Sequence, residues 1–209
     1  MNQSMRQERS AQFEATPVSP APENRESQRF TLLIRAAKLV TDKGEFLCVV
    51  RDVSDTGLSV TLFHALPPFR RVIIEFQNGD RHLAEPVWQR DDRAGFRFLD
   101  GADIVRIIES PSDFSKRPMR VSTNLAGLLQ AGLERHEVEM LDISQQGARL
   151  ACDVELPIDR RVKLLVEGLP ETDAKVRWRR NGECGVVFEN HFQIGELAMI
   201  VAAWRGIDL

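Results

Sequence analysis

The chain has 209 residues, with 28 lysines and arginines against 31 acidic residues and a net charge of −3. This length suits one large domain or two of roughly 100 residues. The slightly acidic balance argues against a general nucleic-acid or membrane-surface protein, because both kinds of binding depend on summed positive charge. Any anionic ligand must be met by local arginines.

Cysteine and histidine usage predicts no metal, no cofactor and no disulfide framework. The three cysteines are an odd number without metal-ligand spacing, and the four histidines show none either. Residues 1–12 lack the apolar stretch of a signal peptide, and no run of about 18 apolar residues occurs. We therefore expect a cytoplasmic protein that does not insert into a membrane.

Residues 1–24 are rich in Ser, Gln, Glu, Pro and Ala, so they cannot bury enough surface to offset the entropy of ordering. We expect a flexible arm there. From Thr31 the pattern changes to short apolar or alternating runs separated by turn residues, at 32–40, 46–50, 58–63, 72–76, 83–88 and 95–98. Six short runs in about 70 residues predict a small antiparallel barrel or sandwich.

Helical spacing follows the last run. Between Asp103 and Glu109 the isoleucines and Val105 recur at a helical period, and the sequence Ser-Pro-Ser-Asp at 110–113 ends the helix. A second stripe of this kind runs from Ile194 to Trp204 near the end of the chain.

A repeat with a constant offset decides the domain count. The segment Asp52-Val-Ser-Asp-Thr-Gly57 recurs as Asp142-Ile-Ser-Gln-Gln-Gly147. The same offset of 90 relates further pairs: Leu66-Pro67 with Leu156-Pro157, Arg70-Arg71 with Arg160-Arg161, Trp88 with Trp178, Gly95 with Gly185, and Phe98 with Phe188. We predict two copies of this small antiparallel barrel or sandwich, each followed by a C-terminal α-helix. The expected divisions are an arm at 1–24, a first domain at 25–110, a hinge at 111–115 and a second domain at 116–209.

Two arginines spaced by four precede the first predicted barrel, at Arg25 and Arg29. The second copy has Lys116 and Arg120 at the corresponding places, with an offset of 91. One residue is therefore gained in the first copy between the arginines and the six-residue turn. The arginine pair and the turn repeat together.

An Arg-x-x-x-Arg segment ahead of a small barrel, followed by Asp-x-Ser-x-x-Gly after its second strand, resembles the PilZ domain family. The later Val87-Trp88 and residues 95–98 (Gly-Phe-Arg-Phe) also look like that family's closing strands. The resemblance covers residues 25–109 and 116–205. It implies a mainly β protein of two six-stranded antiparallel β-barrels, each followed by a C-terminal α-helix. It also implies a receptor for cyclic di-GMP, the bacterial second messenger, whose arginines lie on an N-terminal loop that wraps the ligand against the barrel.

The chemistry of these residue types agrees with that implication. Arginine can fork onto guanine O6 and N7, stack on a base or pair with a phosphate, whereas lysine can neither fork nor stack in the same way. The Asp and Ser side chains can bond to the turn backbone or to a guanine edge, and Gly accepts a positive φ or a close ligand approach. The candidate ligand site in the first copy comprises Arg25, Arg29, Asp52, Ser54 and Gly57.

The second copy offers a less complete set: Lys116, Arg117, Arg120, Asp142, Ser144 and Gly147. Arg117 could replace the missing first arginine, although its spacing to Arg120 is one residue short and Pro118 stiffens the loop. Trp88 and Trp178 are either barrel-edge packing or rings that stack near the ligand. Arg70-Arg71 and Arg160-Arg161 are either a solvated rim or part of a site.

No catalytic residue is expected. Ser54 or Ser144 as a nucleophile would need a poised histidine and an oxyanion site, and no phosphate-cradling glycine-rich loop occurs. The sequence therefore predicts a non-enzymatic effector, in which cyclic di-GMP changes the arm and the arrangement of the domains and a protein partner reads that change. The alternative is a degenerate adaptor barrel that contacts proteins without binding the ligand.

Overall fold

The computed structural model describes residues 30–109 and 118–207 of the chain. The first half forms a closed antiparallel barrel in which β1 pairs with both β2 and β4, and the strand order is β1-β2-β3-β6-β5-β4. Its strands and the helix that follows are β1 (Phe30–Thr41), β2 (Gly44–Ser54), β3 (Gly57–Thr61), β4 (Val72–Phe76), β5 (Arg81–Arg90), β6 (Arg93–Phe98) and α1 (Ile104–Glu109).

The second half repeats the same topology in a closed barrel with the order β10-β11-β12-β9-β8-β7. Its elements are β7 (Val121–Ala131), β8 (Glu134–Ser144), β9 (Gly147–Ala151), β10 (Arg161–Val166), β11 (Thr172–Arg180), β12 (Glu183–Phe188) and α2 (Ile194–Trp204). A capping box begins α2: the side chain of Gln193 and that of Glu196 each cap a backbone N–H group.

Strand registers locate the residue that the first copy gains. Thr31 pairs with Asp52, and Ser122 pairs with Asp142. The residues of β1 and β7 that face the motif aspartate are therefore 91 positions apart. After the bulges, Arg35 pairs with Val50 and Leu125 pairs with Met140, so the equivalent residues of β1 and β7 are then 90 positions apart. The bulge of β1 is therefore one residue longer than the bulge of β7.

Each barrel encloses its own apolar core. Inward side chains alternate along the strands, as Phe46, Cys48 and Val50 do on β2. Helix α1 is fastened to the first barrel at two points: Arg35 Nη1 donates to the carbonyl of Ile107 at 2.8 Å, and Arg106 Nε donates to Asp80 Oδ2 at 2.8 Å.

Helix α2 also packs against the first barrel, on the outer face of β2. Leu47 points away from the first core and belongs to the apolar cluster of the second barrel, together with Leu197 of α2. A Cβ on Gly195 would lie 2.9 Å from Phe63 Cδ1 of the first barrel, so the helix approaches closely there. Both faces of β2 are thus buried between Phe46 and Val50.

A cluster of charges fixes the start of β7 on the first barrel. Lys38 Nζ lies 3.1 Å from Glu45 Oε1 and 3.2 Å from Glu75 Oε1, and donates to the backbone carbonyl of Arg120 at 3.0 Å. The backbone N–H of Ser122 donates to Glu45 Oε2 at 2.7 Å. Lys38 is only 7 % exposed. A buried cation is tolerated because it is paired and hydrogen-bonded.

The predicted fold is confirmed: two six-stranded antiparallel barrels, with all six runs of the first copy appearing as strands. The predicted arm at 1–24, the hinge at 111–115 and the side chains of Arg25, Arg29, Lys116 and Arg117 lie outside the described residues. Within the described ranges, no helix has both the length and the apolar character needed to cross a membrane.

Candidate ligand-binding site

The turn that joins β2 to β3 is built from its own polar side chain. Ser54 is 3 % exposed, and its hydroxyl donates to the carbonyl of Gly57 at 3.2 Å. Ser144 repeats this bond to Gly147 at 3.1 Å. Serine therefore closes the turn in both barrels.

The glycine of the turn is required by the neighbouring strand. A Cβ on Gly57 would lie 2.2 Å from the carbonyl oxygen of Phe96, and one on Gly147 would lie 2.2 Å from that of Val186. Neither glycine has a positive φ. The expectation that these glycines have a positive φ is therefore wrong. Glycine is needed because the neighbouring strand, β6 or β12, approaches the turn closely.

In the first barrel, Asp52 faces Ser59 across the β2–β3 pair and accepts a hydrogen bond from its hydroxyl. A small pocket of about 150 Å³ opens beside the turn. Its lining includes Ser54, Gly57 and Ser59 together with Trp88. The predicted residues Asp52, Ser54 and Gly57 thus lie around one spot on the barrel surface.

The two tryptophans lie on the outside of their barrels. Trp88 pairs across the strands with Gly95, and a Cβ on that glycine would come within 2.2 Å of the indole Nε1. Trp178 covers Gly185 in the same way, at 2.0 Å. Trp88 is 37 % exposed and lines the first pocket, so barrel-edge packing leaves part of the indole available to a ligand.

In the second barrel the aspartate is held by two arginines. Arg120 pairs with Asp142 Oδ1, and Arg149 Nε donates to Asp142 Oδ2 at 2.7 Å. Arg149 Nη1 also lies 3.4 Å from Glu183 Oε2. The hydrogen bond to Asp142 raises the pKa of Arg149 above its ordinary value. Both carboxylate oxygens of Asp142 therefore already have cationic partners.

Arg149 occupies the position that Ser59 has in the first copy. It lines a wider concavity of about 630 Å³ with Trp178, Arg179 and Arg180. Sequence reasoning missed Arg149 and Arg179 because they lie outside the two short motifs. The repeat offers the signal for Arg149, since a cation replaces a small hydroxyl at a position facing the motif aspartate.

Other sequence candidates fall outside these sites. Arg70 and Arg71 are exposed, and neither lines the described pocket of the first barrel. Within the described residues, no group of three or more His, Cys, Asp or Glu side chains could hold a metal ion.

Comparison with protein-family models decides the relationship. The model described as PilZ domain matches residues 23–110 and again residues 115–203. The chain belongs to the PilZ domain family. A comparison with curated proteins gave no significant match.

Several solved structures resemble this tandem PilZ chain at low identity. PlzA of Borreliella burgdorferi, solved with c-di-GMP, is 10 % identical, with 82 % of this chain and 87 % of that chain covered and a TM-score of 0.36. MotI/DgrA, an inhibitor of motility from Bacillus subtilis, is 13 % identical over 84 % and 97 %, with a TM-score of 0.37. YcgR of Escherichia coli in complex with c-di-GMP is 12 % identical over 81 % and 82 %, with a TM-score of 0.31.

Proposed function

We propose that this protein is a non-enzymatic effector that binds cyclic di-GMP at its first barrel, in the cytoplasm. One observation carries the proposal: Arg120, which ends the arginine segment of the second copy, reaches Asp142 of the six-residue turn. Arg29 and Asp52 are the equivalents of this pair in the first copy. The repeat therefore supports a site in which the arginine segment and the turn act together.

Each residue has a distinct role in this site. Arg25 and Arg29 form a clamp that pairs with phosphates or forks onto guanine, and Asp52 offers a carboxylate to the donor edge of a guanine. Ser54 and Gly57 hold the turn in place beneath the ligand. The exposed part of Trp88 offers a flat surface on which a base can stack.

The second barrel is a weaker binder in this proposal. Lys116 cannot fork or stack as an arginine does. A guanine that approaches Asp142 must also displace Arg120 or Arg149 from a carboxylate that is 11 % exposed. Breaking such a charge-assisted bond costs free energy that the contacts of the ligand must offset.

Calorimetric titration with cyclic di-GMP tests the proposal. We expect a dissociation constant of around 1 μM, corresponding to about −8 kcal/mol, and far weaker binding of GMP, which has one base. Replacing Arg25 and Arg29 together with Ala should weaken binding about a hundredfold, because each forked contact is worth roughly 1–3 kcal/mol.

The matched control is the double change Arg70→Ala and Arg71→Ala, which removes the same charge from the exposed rim of the same barrel and should leave the affinity unchanged. If folded protein fails to bind at about 100 μM ligand, the effector proposal is wrong and the adaptor alternative takes its place. If Arg120→Ala abolishes binding while the Arg25/Arg29 double variant binds normally, the site belongs to the second barrel.

We also propose that binding is coupled to the arm and to the arrangement of the barrels, and that a protein partner reads the change. Residues 20–30 carry two of the proposed contacts, so hydrogen exchange there should slow when ligand is bound. In the second copy the equivalent segment is tied to the first barrel through Lys38, which donates to Arg120. Exchange of residues 20–35 that stays unchanged at saturating ligand would remove the arm from the mechanism.

A further inference from the structure

The second barrel has an open groove on the face where the first barrel carries a helix. The groove has a volume of about 660 Å³, and its floor includes Ala126, Gly127, Leu128 and Ala151. It spans the outer sides of β7, β8 and the end of β9.

Strand registers show that this groove matches a covered face of the first barrel. Gly127 pairs with Val138 as Ala37 pairs with Cys48, and Glu139 pairs with Ala151 as Val49 pairs with Thr61. In the first barrel this face carries Leu47, Val49 and Phe63, and α2 packs on it. The shape of this barrel face is therefore compatible with a packed helix, and among the described residues one of the two equivalent faces carries one.

The two faces differ in charge. Glu137, Glu139 and Asp153 line the groove of the second barrel where the first barrel has Leu47, Val49 and Phe63. All three carboxylate residues are exposed, and none forms an ion pair with any described residue. A helix on this face must bring cations at its edges, because unpaired carboxylates would otherwise lose water without compensation.

We propose that the open groove docks an α-helix of a partner protein, with a stripe of small or apolar residues flanked by lysines or arginines. The low floor of alanine and glycine admits the stripe, and the three carboxylates meet the flanking cations. Neither of the helices described in this chain is free to supply the docked helix from a second copy. Its α2 is already packed on its own first barrel, and its α1 is tied to Asp80 and Arg35.

A labelled synthetic helix tests this surface. The probe is an 18-residue amidated peptide with Ala and Leu at i, i+3, i+4 and i+7 and Lys on both flanks, and its partner peptide has Glu at every Lys position. Fluorescence anisotropy should show saturable binding of the lysine peptide to the full chain, at least about tenfold tighter than the glutamate peptide and weakened by salt.

Two variants of the groove and one control decide the location. Leu128→Arg should weaken the lysine peptide about tenfold or more, because it places a bulky cation among the residues that line the groove. The double change Glu137→Lys and Glu139→Lys, at exposed positions, should do the same without touching the core. Ile158→Arg, at an apolar position of the same barrel that is 47 % exposed, should bind as the unchanged chain does.

The proposal is wrong if the two peptides bind equally, if neither binds, or if the groove variants bind like the control. It is also wrong if sedimentation shows that the chain self-associates and that Leu128→Arg abolishes the association, since the face would then belong to a second copy. Circular dichroism melting of each variant confirms that the barrels are folded.

Discussion

Lys38 offers the sharpest test of the contact between the barrels. Replacing it with Ala removes the cation from Glu45 and Glu75, which are 17 % and 23 % exposed, and removes the donor to the carbonyl of Arg120. Breaking a fully buried ion pair costs about 3–5 kcal/mol, and the residual exposure of the two carboxylates lowers the expected cost to about 2–3 kcal/mol of unfolding free energy.

The matched control is Lys163→Ala. Lys163 lies 3.0 Å from Glu171, but the two side chains are 38 % and 70 % exposed, so solvent screens the pair. We expect the control to cost no more than about 1 kcal/mol. Urea unfolding followed by circular dichroism measures both variants. A Lys38→Met variant keeps the aliphatic stem and separates the charge from the packing.

The result that refutes this reasoning is equal stability of the Lys38 and Lys163 variants. The effect of Lys38→Ala should also persist at high salt, since buried pairs are screened much less than exposed ones. A loss that disappears in about 1 M salt would mean that the Lys38 cluster is solvated and does not hold β7 to the first barrel.

Three further outcomes follow from burial and close approach. Leu47→Ala and Leu39→Ala should each lower the free energy of unfolding by about 2–5 kcal/mol. Only Leu47→Ala should split calorimetric unfolding into two transitions, because Leu47 belongs to the second core whereas Leu39 belongs to the first. Calorimetric traces of the same shape for the two variants would contradict this. Gly147→Ala should cost about 1–3 kcal/mol by crowding the carbonyl of the neighbouring strand, whereas Gly101→Ala, with nothing within 4 Å of its Cβ, should be nearly neutral in the same urea assay. Burial raises the pKa of Cys184 to about 12, so its alkylation by iodoacetamide at pH 8 should be slow until urea unfolds the chain, and fast alkylation of native protein would count against that burial.

Much of the architecture could be predicted from the sequence because a repeat is a strong constraint. A constant offset through turns and aromatic positions gave two copies, and period-2 runs gave their strands. The jump from an offset of 91 to one of 90 predicted an extra residue, which the bulge of β1 contains. Local spacing could not say how the barrels meet, because that depends on side chains far apart in the chain.

One feature of the sequence does indicate the contact between the barrels. The run from Phe46 to Val50 is apolar throughout, whereas the equivalent positions of β8 alternate between buried and exposed. A continuous apolar run is typical of a strand covered on both faces. The pairing of Asp142 with Arg149 had no such signal, since an arginine on a strand is ordinarily solvated.

The residues of the six-residue turn have separate roles, and this affects what the motif indicates about a barrel. In both barrels the serine hydroxyl donates to a backbone carbonyl, and the glycine leaves space for the neighbouring strand. A barrel that abandoned its ligand would have to keep Ser144 and Gly147 merely to stay closed. In the proposed site the ligand contacts lie at the aspartate and the arginines, so those positions can change while the serine and the glycine are kept, and such a barrel would retain the fold of the family.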